Sequence, residues 1–203
     1  MSVALKICGM RDNISEIATL MPNYLGFIFY EKSPRFFTGT IPKLPKSVKK
    51  VGVFVDADAA FISEKIKAYA LDVVQLHGSE SPMQCQAISG VEVWKVFSIK
   101  DAFNFEQLTP YEAVVDKFLF DTKGKDKGGN GFTFDWRVLK NYNSSKPMVL
   151  SGGIGLEEVE KVKNILATTI PIAVIDVNSR FETAPGLKKK KDLSTFKKAL
   201  AIH

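Results

Sequence analysis

Eight short apolar runs recur along the sequence, and longer segments with the 3.6-residue period of helices separate most of them. The runs are Val3–Cys8, Tyr24–Phe29, Lys50–Val55, Val73–Leu76, Val93–Phe97, Phe118–Asp121, Met148–Ser151 and Ile172–Val177. Strands that alternate with helices in this way build parallel sheets from βα units. Eight such units predict an α/β fold of the closed (β/α)8 or TIM barrel type, with residues 1–203 forming a single domain.

Helices are expected after most of these runs, but two connections lack a clear helical period. The expected helices are Asn13–Met21, Ala57–Tyr69, Pro82–Ile88, Trp136–Tyr142, Leu156–Leu166 and Leu193–Ile202. Prolines interrupt the segments Thr38–Ser47 and Ile99–Asp116, so the helices after strands 2 and 5 should be shortened or missing. These trimmed connections explain how 203 residues can close a barrel that usually takes about 250 residues.

An open doubly wound sheet is the alternative architecture, and it carries a glycine-rich turn after its first strand. Here the first run ends in CGMRD at residues 8–12, which is not that fingerprint. A later segment, GIGLEE at residues 153–158, has a glutamate where the third glycine belongs, and no GxxxxGK[ST] loop occurs. The sequence therefore does not indicate a standard nucleotide-binding loop.

The cysteines, the lengths of the apolar runs and the net charge indicate which cellular compartment and which kinds of binding partner to expect. The two cysteines, Cys8 and Cys85, are far apart and indicate neither a disulfide nor a metal site, as in a reducing compartment. No run approaches the roughly 18 apolar residues of a membrane helix, so we expect a cytoplasmic protein without membrane contact. The formal charge of +6 suits a phosphorylated substrate or a nucleic acid. Because Lys188–Lys191 has no interleaved aromatics, we interpret it as a solvated helix start and expect no nucleic acid partner.

Polar residues stand at the ends of six of the apolar runs. They are Cys8, Asp56, His77, Asp121, Ser151 and Asp176. The carboxyl ends of barrel strands meet at one face, and active sites of such barrels lie there. Since Asp and Ser also cap helices, Asp56 is interpreted as a helix cap. The other side chains are candidates for a shared site.

Two loops late in the chain have the character of a phosphate site. Gly152 and Gly153 follow strand 7, while Asn178 and Ser179 follow strand 8. In barrels of this kind the loops after strands 7 and 8 commonly bind phosphate. Glycine lets backbone N–H groups approach an anion, and the alternative reading is two ordinary tight turns. The occurrence of both loops together favours phosphate binding.

Several motifs occur in a fixed order along nearly the entire chain. They are KICGM at residues 6–10, GFIF at 26–29, SPR at 33–35, VGVF at 51–54, VQLHG at 74–78, LFD at 119–121, SGG at 151–153 and DVNS at 176–179. In this combination the chain resembles the phosphoribosylanthranilate isomerases of tryptophan biosynthesis. The resemblance implies a (β/α)8 barrel, no cofactor, and an Amadori rearrangement of N-(5-phosphoribosyl)anthranilate, a small phosphorylated substrate.

The resemblance also implies which residues move protons. Cys8 is expected to be the catalytic base and Asp121 the catalytic acid. These roles require a lowered pKa for the thiol and a raised pKa for the carboxyl. Lys6 shares strand parity with Cys8, and we infer that its charge lies beneath Cys8 and favours the thiolate.

Further residues are assigned to substrate binding by the same resemblance. Arg35 matches an arginine that binds the anthranilate carboxylate, and a guanidinium fork suits such a group. His77 and Asp176 match positions that face the substrate, although a core histidine bonded to backbone is an equal reading for His77. The glycine- and lysine-rich segment Lys123–Gly131 is interpreted as a mobile loop over the site.

The chain departs from the family pattern at Arg180 and Phe181, where glycine and a small aliphatic residue are more usual. Arg180 either alters the loop conformation or adds a charge to the phosphate site. The short segment after strand 2 leaves the oligomeric state open between monomer and homodimer. Two other functions compete with the isomerase: another phosphate-binding barrel such as indole-glycerol phosphate synthase, and a basic RNA-binding module.

Overall fold

The computed structural model describes residues 3–100, 102–122 and 133–202, and its main feature is a closed barrel of eight parallel strands. The strands are β1 (Ala4–Ile7), β2 (Tyr24–Ile28), β3 (Lys49–Phe54), β4 (Val73–Leu76), β5 (Glu92–Ile99), β6 (Lys117–Thr122), β7 (Met148–Leu150) and β8 (Ile172–Val177). Each strand pairs with the next, and β1 closes the ring against β8, from Ala4 opposite Val174 to Ile7 opposite Val177. The predicted barrel is confirmed, and the doubly wound alternative is excluded.

Five helices cover the barrel within the described residues. They are α1 (Ile14–Ala18), α2 (Ala59–Tyr69), α3 (Pro82–Gln86), α4 (Val159–Leu166) and α5 (Lys190–Ala199). Asp58, not Asp56, caps α2 by accepting the N–H of Phe61, so the capping role expected for Asp56 is wrong. None of these helices is both long and apolar enough to cross a membrane.

The connections after β2 and β5 are shortened, as predicted. After β2 the chain makes a turn that brings Phe36 back to a bridge with Ile28, and residues 29–48 contain no helix. After β5 comes a 3₁₀ segment, Phe105–Tyr111, with Pro110 inside it. A second 3₁₀ segment, Trp136–Asn141, stands where an α-helix was expected; Asp135 caps its start by accepting the N–H of Arg137, and the extended Tyr142 ends it.

An antiparallel hairpin, β9 (Glu182–Ala184) and β10 (Leu187–Lys188), lies between β8 and α5 and was not predicted. Because of it, Lys188 belongs to a strand and is only 3% exposed. The interpretation of Lys188–Lys191 as a solvated helix start is therefore wrong for Lys188, which forms an ion pair with Glu182.

Two apolar layers follow from the period-2 alternation of strands. Val53, Leu119 and Val174 belong to a smaller cluster inside the barrel, whereas a larger cluster packs between the sheet and the outer segments. Asp121 follows Leu119 by two residues, and Asp176 follows Val174 by two. Both carboxyl groups therefore continue inward-facing rows and end at the mouth of the barrel.

Candidate active site

A cavity of about 520 Å³ lies at the carboxyl ends of the strands. All nine residues predicted for the site line it: Cys8, Arg35, His77, Asp121, Gly152, Gly153, Asp176, Asn178 and Ser179. Its size is typical of small-molecule sites, and its position is the one that barrels use for catalysis. The segment Lys123–Gly131, predicted to cover the site, lies outside the described residues.

Lys6 lies next to Cys8, as its strand parity predicted, but it does not itself line the cavity. Its side chain is fully buried, and its Nζ is 2.9 Å from Asp176 Oδ1. Ser151 donates from its hydroxyl to the other oxygen of Asp176, at 3.2 Å. Burial opposes the charge on Lys6, but Asp176 and Cys8 outweigh that effect and raise the pKa of Lys6. A stable positive charge therefore stands beside the thiol.

The pKa of Cys8 is nevertheless raised. Burial is the largest cause, because a thiolate loses its hydration at a 5% exposed position, and the charges of Lys6 and Lys188 act in the opposite direction. The expectation that the site lowers this pKa is wrong, because desolvation, together with the charge of Asp176, outweighs the two cations.

Asp121 forms the opposite wall and is held from two sides. Its Oδ1 accepts the N–H of Thr122 at 2.8 Å, and its Oδ2 is 3.3 Å from Nε2 of His77. On the other side of the imidazole, Gln75 Nε2 is 3.3 Å from His77 Nδ1. A polar row from Gln75 through His77 thus connects β4 to the carboxyl group on β6. The imidazole of His77 thus lies between Gln75 and Asp121, and within the described residues it makes no hydrogen bond to backbone, the alternative that the sequence left open.

Arg35 is held at the cavity wall by the carboxylate of Glu182. Its Nε and Nη2 donate to the two carboxylate oxygens at 2.7 to 3.0 Å. Lys188 donates to the same carboxylate at 2.6 Å and to Asn178 Oδ1 at 2.7 Å. Burial raises the pKa of Glu182, but its bonds to Arg35 and Lys188 outweigh this effect and lower it. Two cations thus share one carboxylate, and the cluster retains a positive charge toward the cavity.

Glycine is required immediately after Cys8 for this cluster to approach the thiol. Gly9 has φ +69°, and a Cβ there would lie 2.6 Å from both Arg35 Cδ and Asn178 Oδ1. Those distances are far below van der Waals contact, so any other residue would displace Arg35 or Asn178. The CG dipeptide of the first motif therefore places the thiol and the arginine side by side.

The loops after β7 and β8 meet at one rim of the cavity. Gly152 and Gly153 adopt positive φ values of 91° and 67°. A Cβ on Gly152 would lie 2.3 Å from Thr122 Oγ1, so this turn passes close to β6. Among the described residues the backbone N–H of Gly153 has no hydrogen-bond acceptor. A free N–H between residues of positive φ is suited to an anion, and phosphate binding at this rim stays a prediction.

Comparison with known proteins decides the family. Residues 5–199 match the family described as N-(5'-phosphoribosyl)anthranilate (PRA) isomerase. The chain belongs to this family. The phosphoribosylanthranilate isomerase of Parabacteroides distasonis is 43% identical over 95% of this chain and 90% of its own length.

Solved structures of phosphoribosylanthranilate isomerases share the fold. The isomerase from Thermus thermophilus has a TM-score of 0.85 at 26% identity, with 98% of both chains covered. An isomerase in complex with reduced 1-(o-carboxyphenylamino)-1-deoxyribulose 5-phosphate has a TM-score of 0.81 at 27% identity, again with 98% of both chains covered. This protein is accordingly an isomerase of tryptophan biosynthesis, and the alternatives of an indole-glycerol phosphate synthase and an RNA-binding module are set aside.

Three residues of this phosphoribosylanthranilate isomerase site were not found from the sequence: Gln75, Glu182 and Lys188. Gln75 lies two residues before His77, so the inward parity of β4 was the available signal. For Glu182 and Lys188 the only signal was the turn dipeptide at Pro185 and Gly186 between them.

Proposed function

We propose that this isomerase converts N-(5'-phosphoribosyl)anthranilate into 1-(2-carboxyphenylamino)-1-deoxyribulose 5-phosphate by an acid/base Amadori rearrangement. The observation that supports the proposal is one cavity lined by a thiol, a carboxyl, an arginine and a glycine-rich rim. The substrate has a carboxylate at one end, a phosphate at the other and the reacting sugar between them. No external oxidant or reductant is required, since the ring opens and protons shift within one molecule, so that C1 is reduced as C2 is oxidised.

In the first step Asp121 acts as general acid. It donates a proton to the ring oxygen of the ribose, the bond from C1 to that oxygen breaks, and the nitrogen lone pair forms a C=N bond. The product of this step is an open-chain protonated Schiff base, which keeps the N–H, and Asp121 becomes a carboxylate. His77, 3.3 Å away, is placed to stabilise that carboxylate.

In the second step Cys8 acts as general base. The thiolate removes the proton from C2, the released electrons form a C1=C2 bond, and the C=N electrons return to nitrogen. The resulting enolamine gains a proton at C1 and loses its C2 hydroxyl proton to give the ketone. Because β7 and β8 separate β6 from β1, acid and base approach the sugar from different sides.

Both anionic ends of the substrate have suitable partners. Arg35 keeps its Nη1 nitrogen free of acceptors in the described residues, and we assign it to the anthranilate carboxylate. The phosphate is assigned to Gly152, Gly153, Asn178 and Ser179, with Asp176 orienting Lys6 beneath the sugar. A cytoplasmic location, a monomeric or homodimeric state and the absence of a nucleic acid partner stay predictions.

Two substitutions test the acid/base assignment. Cys8→Ala and Asp121→Asn should each lower kcat by about 10² to 10⁴, the range for one positioned proton-transfer group. Because each group handles a different proton, neither loss is covered by the other. Turnover is measured on freshly prepared substrate, and circular dichroism checks that the barrel is intact.

Cys85→Ala is the matched control, since Cys85 is also buried but does not line the cavity. Its kcat should stay within about twofold of the unmodified enzyme, because proton transfer does not involve it. Near-normal turnover of Cys8→Ala would contradict the proposal, and His77 and Asp176 would then be tested as the base.

A further inference from the structure

Arg180 stands at the rim of the cavity, among the residues assigned to the phosphate. It lines the same cavity as Gly152, Gly153 and Ser179. Its side chain is 37% exposed, and its Nη2 donates to Oε2 of Glu157 at 2.7 Å. In the part of the chain that the structure describes, Nε and Nη1 of Arg180 have no acceptor. Most of the guanidinium fork is therefore available to another anion.

The arginine stem crosses the loop that continues from Gly153. A Cβ on Gly155 would lie 3.2 Å from Arg180 Cβ and 3.1 Å from its Nε. The guanidinium is thus held close to the backbone of the glycine-rich rim. Glu158, the nearest other carboxylate on this loop, accepts the N–H of Gly155 at 2.8 Å.

The ion pair between Arg180 and Glu157 contributes little free energy, because it is exposed to solvent. Glu157 is 79% exposed, so water competes for its carboxylate and screens its charge. Releasing Glu157 to solvent leaves no buried charge behind. A phosphate offers more negative charge and more acceptor oxygens to the same planar fork.

We propose that Arg180 binds the phosphate of the substrate through its side chain, and that its ion pair with Glu157 breaks when the phosphate binds. This inference rests on the phosphate site of the proposed function and extends it from backbone N–H groups to a charged side chain. Glu157 then acts as an internal competitor that lowers the affinity for phosphate.

The two residues predict opposite effects when they are neutralised. Arg180→Gln should raise the inhibition constant of inorganic phosphate and the KM of the substrate by roughly 5- to 20-fold, with kcat within about twofold. Glu157→Gln should lower the inhibition constant of phosphate by about 2- to 5-fold, because the competing carboxylate is gone. A merely structural ion pair would weaken phosphate binding in both variants.

Arg137→Gln is the matched control for net charge. Arg137 also pairs with an exposed carboxylate, that of Asp135 at 2.6 Å, but it does not line the cavity. This variant should leave phosphate inhibition unchanged at the same ionic strength. The role of Arg180 would be overturned if phosphate inhibited Arg180→Gln as strongly as it inhibits Arg137→Gln. It would also be overturned if phosphate inhibited Glu157→Gln more weakly than the unmodified enzyme. If phosphate does not compete with substrate in the unmodified enzyme, the phosphate site itself is wrong, and the role of Arg180 with it.

Discussion

Cys8 lies between two buried cations of different origin. Lys6 comes from its own strand and is paired with Asp176, whereas Lys188 comes from the hairpin and is paired with Glu182. Both lower the pKa of the thiol, and burial raises it by more. Burial therefore disfavours the thiolate, and the base form becomes more populated as pH rises.

Arg35 gives the first prediction at the residue scale. Arg35→Ala should raise KM by about 10- to 100-fold, the effect of losing hydrogen bonds to a charged group, and change kcat little. Arg35→Lys should restore little of the loss, because an ammonium has no planar fork to share between Glu182 and the substrate. Steady-state kinetics with the natural substrate separates KM from kcat.

An analogue that carries aniline in place of anthranilate provides the control. It lacks the carboxylate, so its KM should be the same in the unmodified enzyme and in Arg35→Ala. A fall in kcat at constant KM would instead place Arg35 in the transition state.

At the scale of elements, the strands and their polar ends could be predicted because they are repeated signals. Most inward residues of the barrel are apolar, so a carboxylate such as Asp121 at a strand end is conspicuous in the sequence. The hairpin gave no such signal, since β9 and β10 have three and two residues, and alternation becomes recognisable only over about four residues or more. Glu182 can be buried because it pairs with Arg35, which is 147 residues away in the sequence. A contact between such distant residues cannot be predicted from the local sequence.

The hairpin should contribute to stability through Glu182. Glu182→Gln should lower the free energy of unfolding by roughly 3 kcal/mol, because Arg35 and Lys188 would lose their common counter-charge in a 4% exposed position. Urea denaturation measures the change. Glu157→Gln removes an acid from an exposed pair and should cost less than about 1 kcal/mol. Equal effects of the two substitutions would mean that the buried cluster adds nothing to the fold.

At the scale of the whole molecule, buried ion pairs connect separate parts of the barrel. Lys6 with Asp176 joins β1 to β8, and Lys95 with Glu80, at 2.9 Å, joins β5 to the loop after β4. Glu80 also accepts the N–H groups of Asp56 and Gly78, so two loops are held together. Because such groups are almost fully buried, their ionisation affects the stability of the entire fold.

The link between ionisation and stability can be measured at Lys188. Burial lowers the pKa of Lys188 from 10.5 to about 8, despite its bonds to Glu182. Between pH 8 and 10.5 the folded protein has largely lost this proton while the unfolded chain keeps it, so unfolding takes up a proton and stability rises with pH. At about 1.4 kcal/mol per pH unit, the gain over this interval approaches 3 kcal/mol, and it is lost again as pH falls through 8.

Lys188→Met removes this titration. It also removes a charge that lowers the pKa of Cys8, which makes the variant lose stability at high pH and so acts in the same direction as the expected difference. The free energy of unfolding, measured in urea from pH 7 to 10.5, should therefore rise with pH in the unmodified protein relative to the variant. Below about pH 7.5 the difference between the two proteins should be constant, since Lys188 is then protonated in both the folded and the unfolded state. Cys85 and Tyr142, with pKa values raised by burial to about 11 and 12, lower stability at high pH equally in both proteins and cancel in the comparison. Parallel curves across the full range would show that Lys188 keeps its ordinary pKa in the fold.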